Sequence, residues 1–243
     1  MRVRFLGIGE AFPIYEHNAS LLVDDSILLD CGFDVPKQLL KCAGVSPVQV
    51  VFITHLHGDH FAGTSALFMM CRQSARQEPM IVVGQRGTEM RVQQNFLTHF
   101  ENFQDVGFPI EFVEVEPGAT WKHGDYIFRF AAGRHTITNL GVRIEDSRGK
   151  ALVYSGDTEP CQELAALSTG ADMLVHDCYS VDTPRSGHTS ARDLAQQIEA
   201  YGVKKLVPIH FQKNAERKRI LRTLENSFSG RVALPEELTE WVL

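Results

Sequence analysis

The chain has 243 residues, enough for one domain of ordinary size or two small ones. With 44% hydrophobic and 22% charged residues it reads as globular, which excludes a disordered, collagenous or coiled-coil chain. Lys and Arg number 24 against 30 Asp and Glu, a net charge of −6, which counts against a large footprint on a nucleic-acid backbone.

No linker, repeat or low-complexity stretch interrupts the sequence, so a single domain over residues 1–243 is expected. In chain order, Val3–Gly7, Ser20–Val23 and Ile27–Asp30 read as short strands, the last two meeting at Asp24-Asp25. Val35–Ala43 reads as a helix ending near Gly44. Val48–Thr54 is a continuous apolar strand running straight into a histidine cluster. Thr64–Gln77 has helical spacing, Met80–Val83 is a strand, and a helix covers Gly87–Phe100. Strands follow at Ile110–Val115, Tyr126–Ala132, Leu140–Glu145 and Leu152–Ser155, then a helix at Glu159–Leu167 and a buried strand at Met173–His176. Ser190–Tyr201 reads as an amphipathic helix capped by Thr189 or Ser190 and ended by Gly202. The strand Lys205–Ile209 and a helix over Ala215–Phe228 complete the pattern, which is α/β with mixed sheets.

Five cysteines, Cys31, Cys42, Cys71, Cys161 and Cys178, are odd in number and widely spaced, with no C-x-x-C. They argue against a disulfide scaffold or thiolate zinc site and for a reducing compartment. The start, M-R-V-R-F-L-G-I-G-E, lacks the apolar region of a signal peptide. No apolar run reaches the roughly 18 residues of a membrane helix. A cytoplasmic protein without a membrane partner is expected.

The chemistry concentrates at Thr54–His60, T-H-L-H-G-D-H, which places His55, His57, Asp59 and His60 within six residues. Ten histidines in the whole chain make three in that window a large excess. Imidazole and carboxylate donors at this density suit zinc, manganese or iron. A turn at Gly58 lets His55 and His57 aim at one point and Asp59 and His60 at a second. Two cations about 3.5–4 Å apart are the arrangement of two-metal hydrolysis. Further donors sit after other apolar strands: His135 after Tyr126–Ala132, Asp157 in Y-S-G-D-T, and His210 after Leu206–Ile209. Gly187-His188-Thr189-Ser190 has two readings, a plain helix N-terminus or a functional histidine. His17, His99, His123 and His176 have no partner spacing and read as structural or surface residues. Phe96, Phe100, Phe103, Phe108 and Phe112 read as core. The basic run Glu216–Arg219 with Arg222 reads as the solvated face of a helix.

The H-x-H-x-D-H cluster with a later His, Asp and His resembles the metallo-β-lactamase-fold superfamily over nearly the whole chain. Within it, several stretches resemble ribonuclease Z: F-L-G-I-G-E at Phe5–Glu10, N-A-S at Asn18–Ser20 and D-C-G at Asp30–Gly32. H-T-I-T-N-L-G-V-R-I at His135–Ile144, L-V-H-D-C-Y at Leu174–Tyr179, G-H-T-S-A at Gly187–Ala191 and L-V-P-I-H-F at Leu206–Phe211 add to the likeness. The resemblance implies a four-layer αββα sandwich of two mixed sheets flanked by helices. It implies one metal on His55, His57 and His135, a second on Asp59, His60 and His210, and Asp157 bridging both. Relatives of this kind are often homodimers.

Two departures stand out. Ribonuclease Z carries a long arm that grips transfer RNA between the His and Asp equivalent to His135 and Asp157. Here these lie only 22 positions apart, room for a hairpin and nothing more. Asp177 stands where that family has Glu. The expected protein is therefore a hydrolase with two divalent cations, zinc first and manganese or iron next, a phosphodiesterase or ribonuclease Z-like nuclease that uses a metal-bridging hydroxide. A small anionic substrate is favoured over a long RNA. Asp59 would orient or deprotonate the attacking water, the G-H-T-S-A likeness makes His188 the general acid, and Asp177 would fix the His188 tautomer. The rivals are a lactonase, thioesterase or β-lactam hydrolase of the same fold, and a non-catalytic metal-binding subunit.

Overall fold

The structure is a computed structural model that describes residues 1–243. It divides into two compact units, each built on one seven-stranded mixed sheet with flanking helices. The first comprises residues 2–115 and 237–242; the second comprises 116–236 with the two terminal residues of the chain.

In the first unit β1 (Arg2–Gly7), β2 (Ser20–Val23) and β3 (Ile27–Leu29) run antiparallel. The β2–β3 turn, Asp24-Asp25-Ser26, puts Asp24 and Asp25 at φ +46° and +59°, left-handed conformations that Asp tolerates, and the Ser26 N–H donates to the Val23 carbonyl at 3.0 Å. Three parallel strands follow: β4 (Val50–Ile53), β5 (Met80–Gly84) and β6 (Ile110–Glu114). Helices α1 (Val35–Cys42), α2 (Gly58–Phe61), α3 (Thr64–Gln73) and α4 (Thr88–Leu97) connect them. The C-terminal strand Glu240–Val242 adds to the free edge of β1. All four residues of β4, V-V-F-I, are buried, as befits an interior parallel strand covered on both faces. Phe68, Phe96, Phe100, Phe103 and Phe112 pack ring to ring at 4.7–6.5 Å. The four of these expected from sequence to be core residues are accordingly in or against the unit's apolar core.

In the second unit β7 (Thr120–His123), β8 (Tyr126–Gly133), β9 (Asn139–Glu145) and β10 (Ala151–Tyr154) form an antiparallel meander. It continues into parallel β11 (Met173–Asp177), β12 (Lys205–Ile209) and β13 (Arg231–Val232), linked through α5 (Gln162–Ser168), α6 (Ala191–Ala195) and α7 (Arg217–Glu225). The interval from His135 to Asp157 is the β9–β10 hairpin and its flanks, with no inserted arm.

Two expected helices differ from the structure. The Thr64–Gln77 helix stops at Gln73, because Ala75 turns to φ +55°. That turn lets the buried Arg76 guanidinium donate to the carbonyls of Ser46, Val48, Glu78 and Pro79. The expected Ser190–Tyr201 helix is capped by Ser190 but breaks after Ala195, resuming as a 3-10 turn over Ile198–Tyr201. Its buried residues, Ala191, Leu194, Ile198 and Tyr201, recur every three to four positions in both pieces, so the apolar spacing alone does not reveal the break.

The β9–β10 turn generates a pH prediction. Burial of the Asp146 carboxyl opposes its ionisation. The Lys150 and Arg148 N–H groups, the Arg148 guanidinium and the N-terminal ammonium outweigh that and hold its pKa at about 2. A depressed folded-state pKa stabilises the fold above the ordinary carboxylate value near 4 and is lost as pH falls toward 2. Asp146→Asn should lower the melting temperature by several degrees at pH 6, and the gap should close by about pH 2. A gap that persists unchanged at pH 2 contradicts the assignment.

Candidate active site

The first unit contributes the histidine cluster. Strand β4 runs directly into Thr54 and His55, both without exposed surface. His57 is extended and serves as N-cap of α2, whose first turn carries Asp59 and His60. Gly58, expected as a sharp turn, opens this short helix, and a Cβ there would meet the Phe33 ring at 2.5 Å. His55 Nε2 lies 3.1 Å from His57 Nδ1, and the His55 and His60 rings are 4.1 Å apart. His60 Nε2 is 3.2 Å from Asp59 Oδ2. All four donors of the cluster therefore gather in one place.

What holds them is Asp30, which the sequence shows only as part of the D-C-G stretch, without an assigned role. It is fully buried at the end of β3, at φ +60°, an uncommon conformation for a residue other than glycine. Its Oδ2 accepts the His60 Nδ1–H at 2.7 Å, and its Oδ1 accepts the Thr54 backbone N–H at 2.8 Å. The Thr54 hydroxyl donates to the same carboxylate at 2.9 Å and stands 3.0 Å from His55 Nδ1. Both imidazoles are thus held through Nδ1, which leaves Nε2 as the ligating nitrogen. Two glycines permit the approach. A Cβ on Gly32 would lie 2.0 Å from the Asp59 carbonyl oxygen, and one on Gly63 would lie 1.9 Å from that of Gly32. The signal for Asp30 was present, a polar residue ending an apolar strand, but a lone Asp without a neighbouring His did not stand out.

The second unit contributes the remaining donors, each at a strand end. His135 follows β8, and its Nδ1–H donates to the Gly187 carbonyl at 2.7 Å. Gly187 has φ +80°, and a Cβ there would fall 2.6 Å from His135 Nδ1, so only glycine fits. Asp157 follows β10 through Gly156 at φ +59°. His210 ends β12 at φ +61°. His210 Nε2 lies 3.3 Å from Asp157 Oδ2, and His188 Nδ1 lies 3.9 Å from that oxygen. Donor atoms of Asp157, Asp177, His188 and His210 all fall within 4.8 Å of one another. Asp177, ending β11, takes the His188 Nδ1–H on Oδ2 at 3.0 Å and the Thr158 N–H on the same oxygen at 3.1 Å. Thr158, also unread from sequence, further bonds the Arg134 N–H and the Thr189 hydroxyl.

The remaining histidines fall elsewhere. His17 bonds Glu237 at 2.7 Å, His123 stacks on Trp121, and His176 is buried against Tyr201, where burial lowers its pKa. Within each unit, imidazole and carboxylate donors are gathered in largely buried settings, with Nδ1 of His55, His60 and His135 already bonded to a supporting group. That chemistry fits divalent cations.

The sequence model of the beta-lactamase superfamily domain matches residues 25–211, most of the chain. The chain belongs to the beta-lactamase superfamily. Within the superfamily its sequence is ribonuclease Z-like. Ribonuclease Z of Ignicoccus hospitalis is 29% identical over 302 aligned positions that take in 100% of this chain and 99% of that protein. The aligned length exceeds the 243 residues here, so the relative carries segments this chain lacks. The metallo-beta-lactamase fold protein YhfI of Bacillus subtilis superposes with a TM-score of 0.85 at 19% identity, covering 99% of this chain and 98% of that one. The short form of human tRNase Z superposes at 0.79 with 23% identity, covering 100% and 99%. The chain has the metallo-beta-lactamase fold, and its donors are those of a metal-dependent hydrolase of this superfamily.

The Asp30 contacts generate a second prediction. Asp30→Asn keeps the size of the side chain but removes the charge facing His60. Metal affinity, read by competition with a chromogenic chelator, should fall about 10–100-fold while the fold persists. Unchanged affinity would show that Asp30 does not orient the ligand.

Proposed function

We propose that this member of the superfamily is a dinuclear phosphodiesterase acting on a small anionic substrate. His55, His57 and His135 are assigned to one cation, Asp59, His60 and His210 to the other, and Asp157 to both. When bound, two divalent cations neutralise charge on the phosphoryl oxygens and supply a nucleophilic water near neutral pH. Asp59 is assigned to orient the attacking water.

The observation that carries the reading is the Asp177–His188 hydrogen bond of 3.0 Å, set beside Asp157 and His210. The carboxylate fixes Nδ1 as the protonated nitrogen and holds the ring in place. His188 Nε2 is then the position from which a proton passes to the leaving oxygen. A lactonase or thioesterase keeps the metal donors without calling for this His–Asp element, so its presence favours phosphodiester chemistry. The short β9–β10 connection supports a small substrate over a transfer RNA.

The proposal extends to one functional domain, since the assigned donors run from His55 to His210. It takes zinc as the metal on the strength of the nitrogen-rich donor set. It takes the cytoplasm as the compartment, since all five cysteines are free, and a homodimer as the assembly from the family resemblance. No helix is long and apolar enough to cross a membrane.

The test is a panel with zinc or manganese supplied: bis-(p-nitrophenyl) phosphate, a cyclic nucleotide, a lactone and a β-lactam. Turnover of the phosphodiesters is expected, and turnover of the lactone alone contradicts the proposal. In the same assay His188→Ala should cut kcat for the cyclic nucleotide, whose alkoxide leaving group needs a proton, by about 100-fold or more with metal content unchanged. Turnover of bis-(p-nitrophenyl) phosphate, whose leaving group departs unprotonated, should fall far less. Loss of metal from that variant would make His188 a ligand instead of the acid.

A further inference from the structure

The loop leading to His188, residues 181–187, holds an arginine that the metal and proton chemistry does not use. Arg185 is exposed, yet its position is fixed. Its guanidinium carbon lies 4.6 Å from the centroid of the Tyr179 ring, and one N–H donates to the Tyr179 hydroxyl. Tyr179 is itself anchored: its N–H donates to the Thr189 carbonyl at 2.8 Å, and its carbonyl accepts the Gln212 N–H at 2.9 Å. The His188 ring lies beside this pair, 5.0 Å from that of Tyr179. The backbone closes the triangle, because the His188 N–H donates to the Arg185 carbonyl at 3.0 Å. The loop is tied at both ends, through Ser180 Oγ to the Thr183 carbonyl at 2.6 Å and through the Gly187 N–H to Glu159 Oε1 at 2.9 Å.

Arg185 also lacks the partner that a structural surface arginine usually has. No carboxylate lies within ion-pair distance of it. The one acid on its own loop, Asp182, is taken by Arg192 at 3.4 Å and Arg219 at 3.0 Å. The Glu159 carboxylate serves the Gly187 N–H. A guanidinium has five N–H donors in a planar fork matched to phosphate oxygens. Here one donor is used on Tyr179, which stiffens the side chain and leaves the outer edge of the fork for a ligand. Ordering a long side chain in advance removes much of the entropy that would otherwise oppose binding.

We propose that Arg185, stacked on Tyr179, is an anion-binding residue that takes a non-bridging phosphoryl oxygen of the substrate beside His188. It thereby sets the preference for phosphodiesters over uncharged esters. The inference rests on the phosphodiesterase reading above and names the residue that enforces its substrate class. Tyr179 is a positioning residue, acting through the arginine.

The experiment uses the metal-loaded protein and two readouts. The first is hydrolysis of bis-(p-nitrophenyl) phosphate and of p-nitrophenyl acetate; the second is calorimetric binding of inorganic phosphate. Arg185→Gln should raise KM for the phosphodiester and Kd for phosphate about tenfold or more, the loss expected for one charge-assisted hydrogen bond. Its kcat/KM for the acetate ester should stay within about twofold of wild type, and its metal content should not change. Arg185→Lys should recover part of the loss, since it keeps the charge but not the fork. Tyr179→Phe, which keeps the ring and removes the hydroxyl, should raise KM for the phosphodiester with kcat unchanged. Unaltered phosphate binding in Arg185→Gln overturns the inference, and so does an equal fall for both esters. Failure of the hydrolase reading looks different: wild type then leaves the phosphodiester intact, while phosphate calorimetry still decides the role of Arg185.

Discussion

A buried carboxylate accepting a hydrogen bond from histidine Nδ1 is the interaction on which the donor arrangement depends, and each unit has one. Asp30 holds His60 at 2.7 Å in the first unit, and Asp177 holds His188 at 3.0 Å in the second. An unpaired carboxylate in such a setting would cost several kcal/mol. Each is therefore supplied with backbone donors as well, Asp30 by the Thr54 N–H and Asp177 by the Thr158 N–H. The same contacts that satisfy the charge also fix which imidazole nitrogen faces outward. Ring orientation and tautomer are settled before any ligand arrives, so little reorganisation is left to do at the moment of binding.

Backbone geometry makes those contacts possible. Donors sit where strands stop, and the chain must leave the sheet abruptly there. Asp30 and His210 take left-handed conformations at their strand ends, and Gly156 and Gly187 do the same where a side chain has no room. Strain of this kind persists only where the surroundings over-determine it. In the first unit the Gly32 and Gly63 backbones come close enough for the Cys31 N–H to bond the His60 carbonyl at 2.7 Å. A bulkier residue at either position would push the strand end off the helix that carries Asp59 and His60.

Much of this was legible in the sequence, for identifiable reasons. The histidine cluster stands out because its composition is improbable and because β4 delivers it as an unbroken apolar run. His135, Asp157 and His210 could be read because each follows an apolar strand. Asp30 follows one too, but its importance lies in contacts 24 and 30 residues away, with Thr54 and His60, which no local pattern encodes. The edge strands Thr120–His123, Arg231–Val232 and Glu240–Val242 went unread because two to four residues carry too little periodicity. Arg185 was invisible for a related reason, since its meaning comes from the carboxylates it does not meet and the ring beneath it.

The central claim is that the His and Asp donors serve a pair of divalent cations. The direct measurement is metal stoichiometry per chain, by native mass spectrometry and elemental analysis on protein loaded with zinc and freed of excess. The account predicts two ions per chain for wild type, with Asp157→Ala losing occupancy of both because it is assigned to both. No bound metal in wild type, or two ions held undiminished after Asp157→Ala, would contradict it.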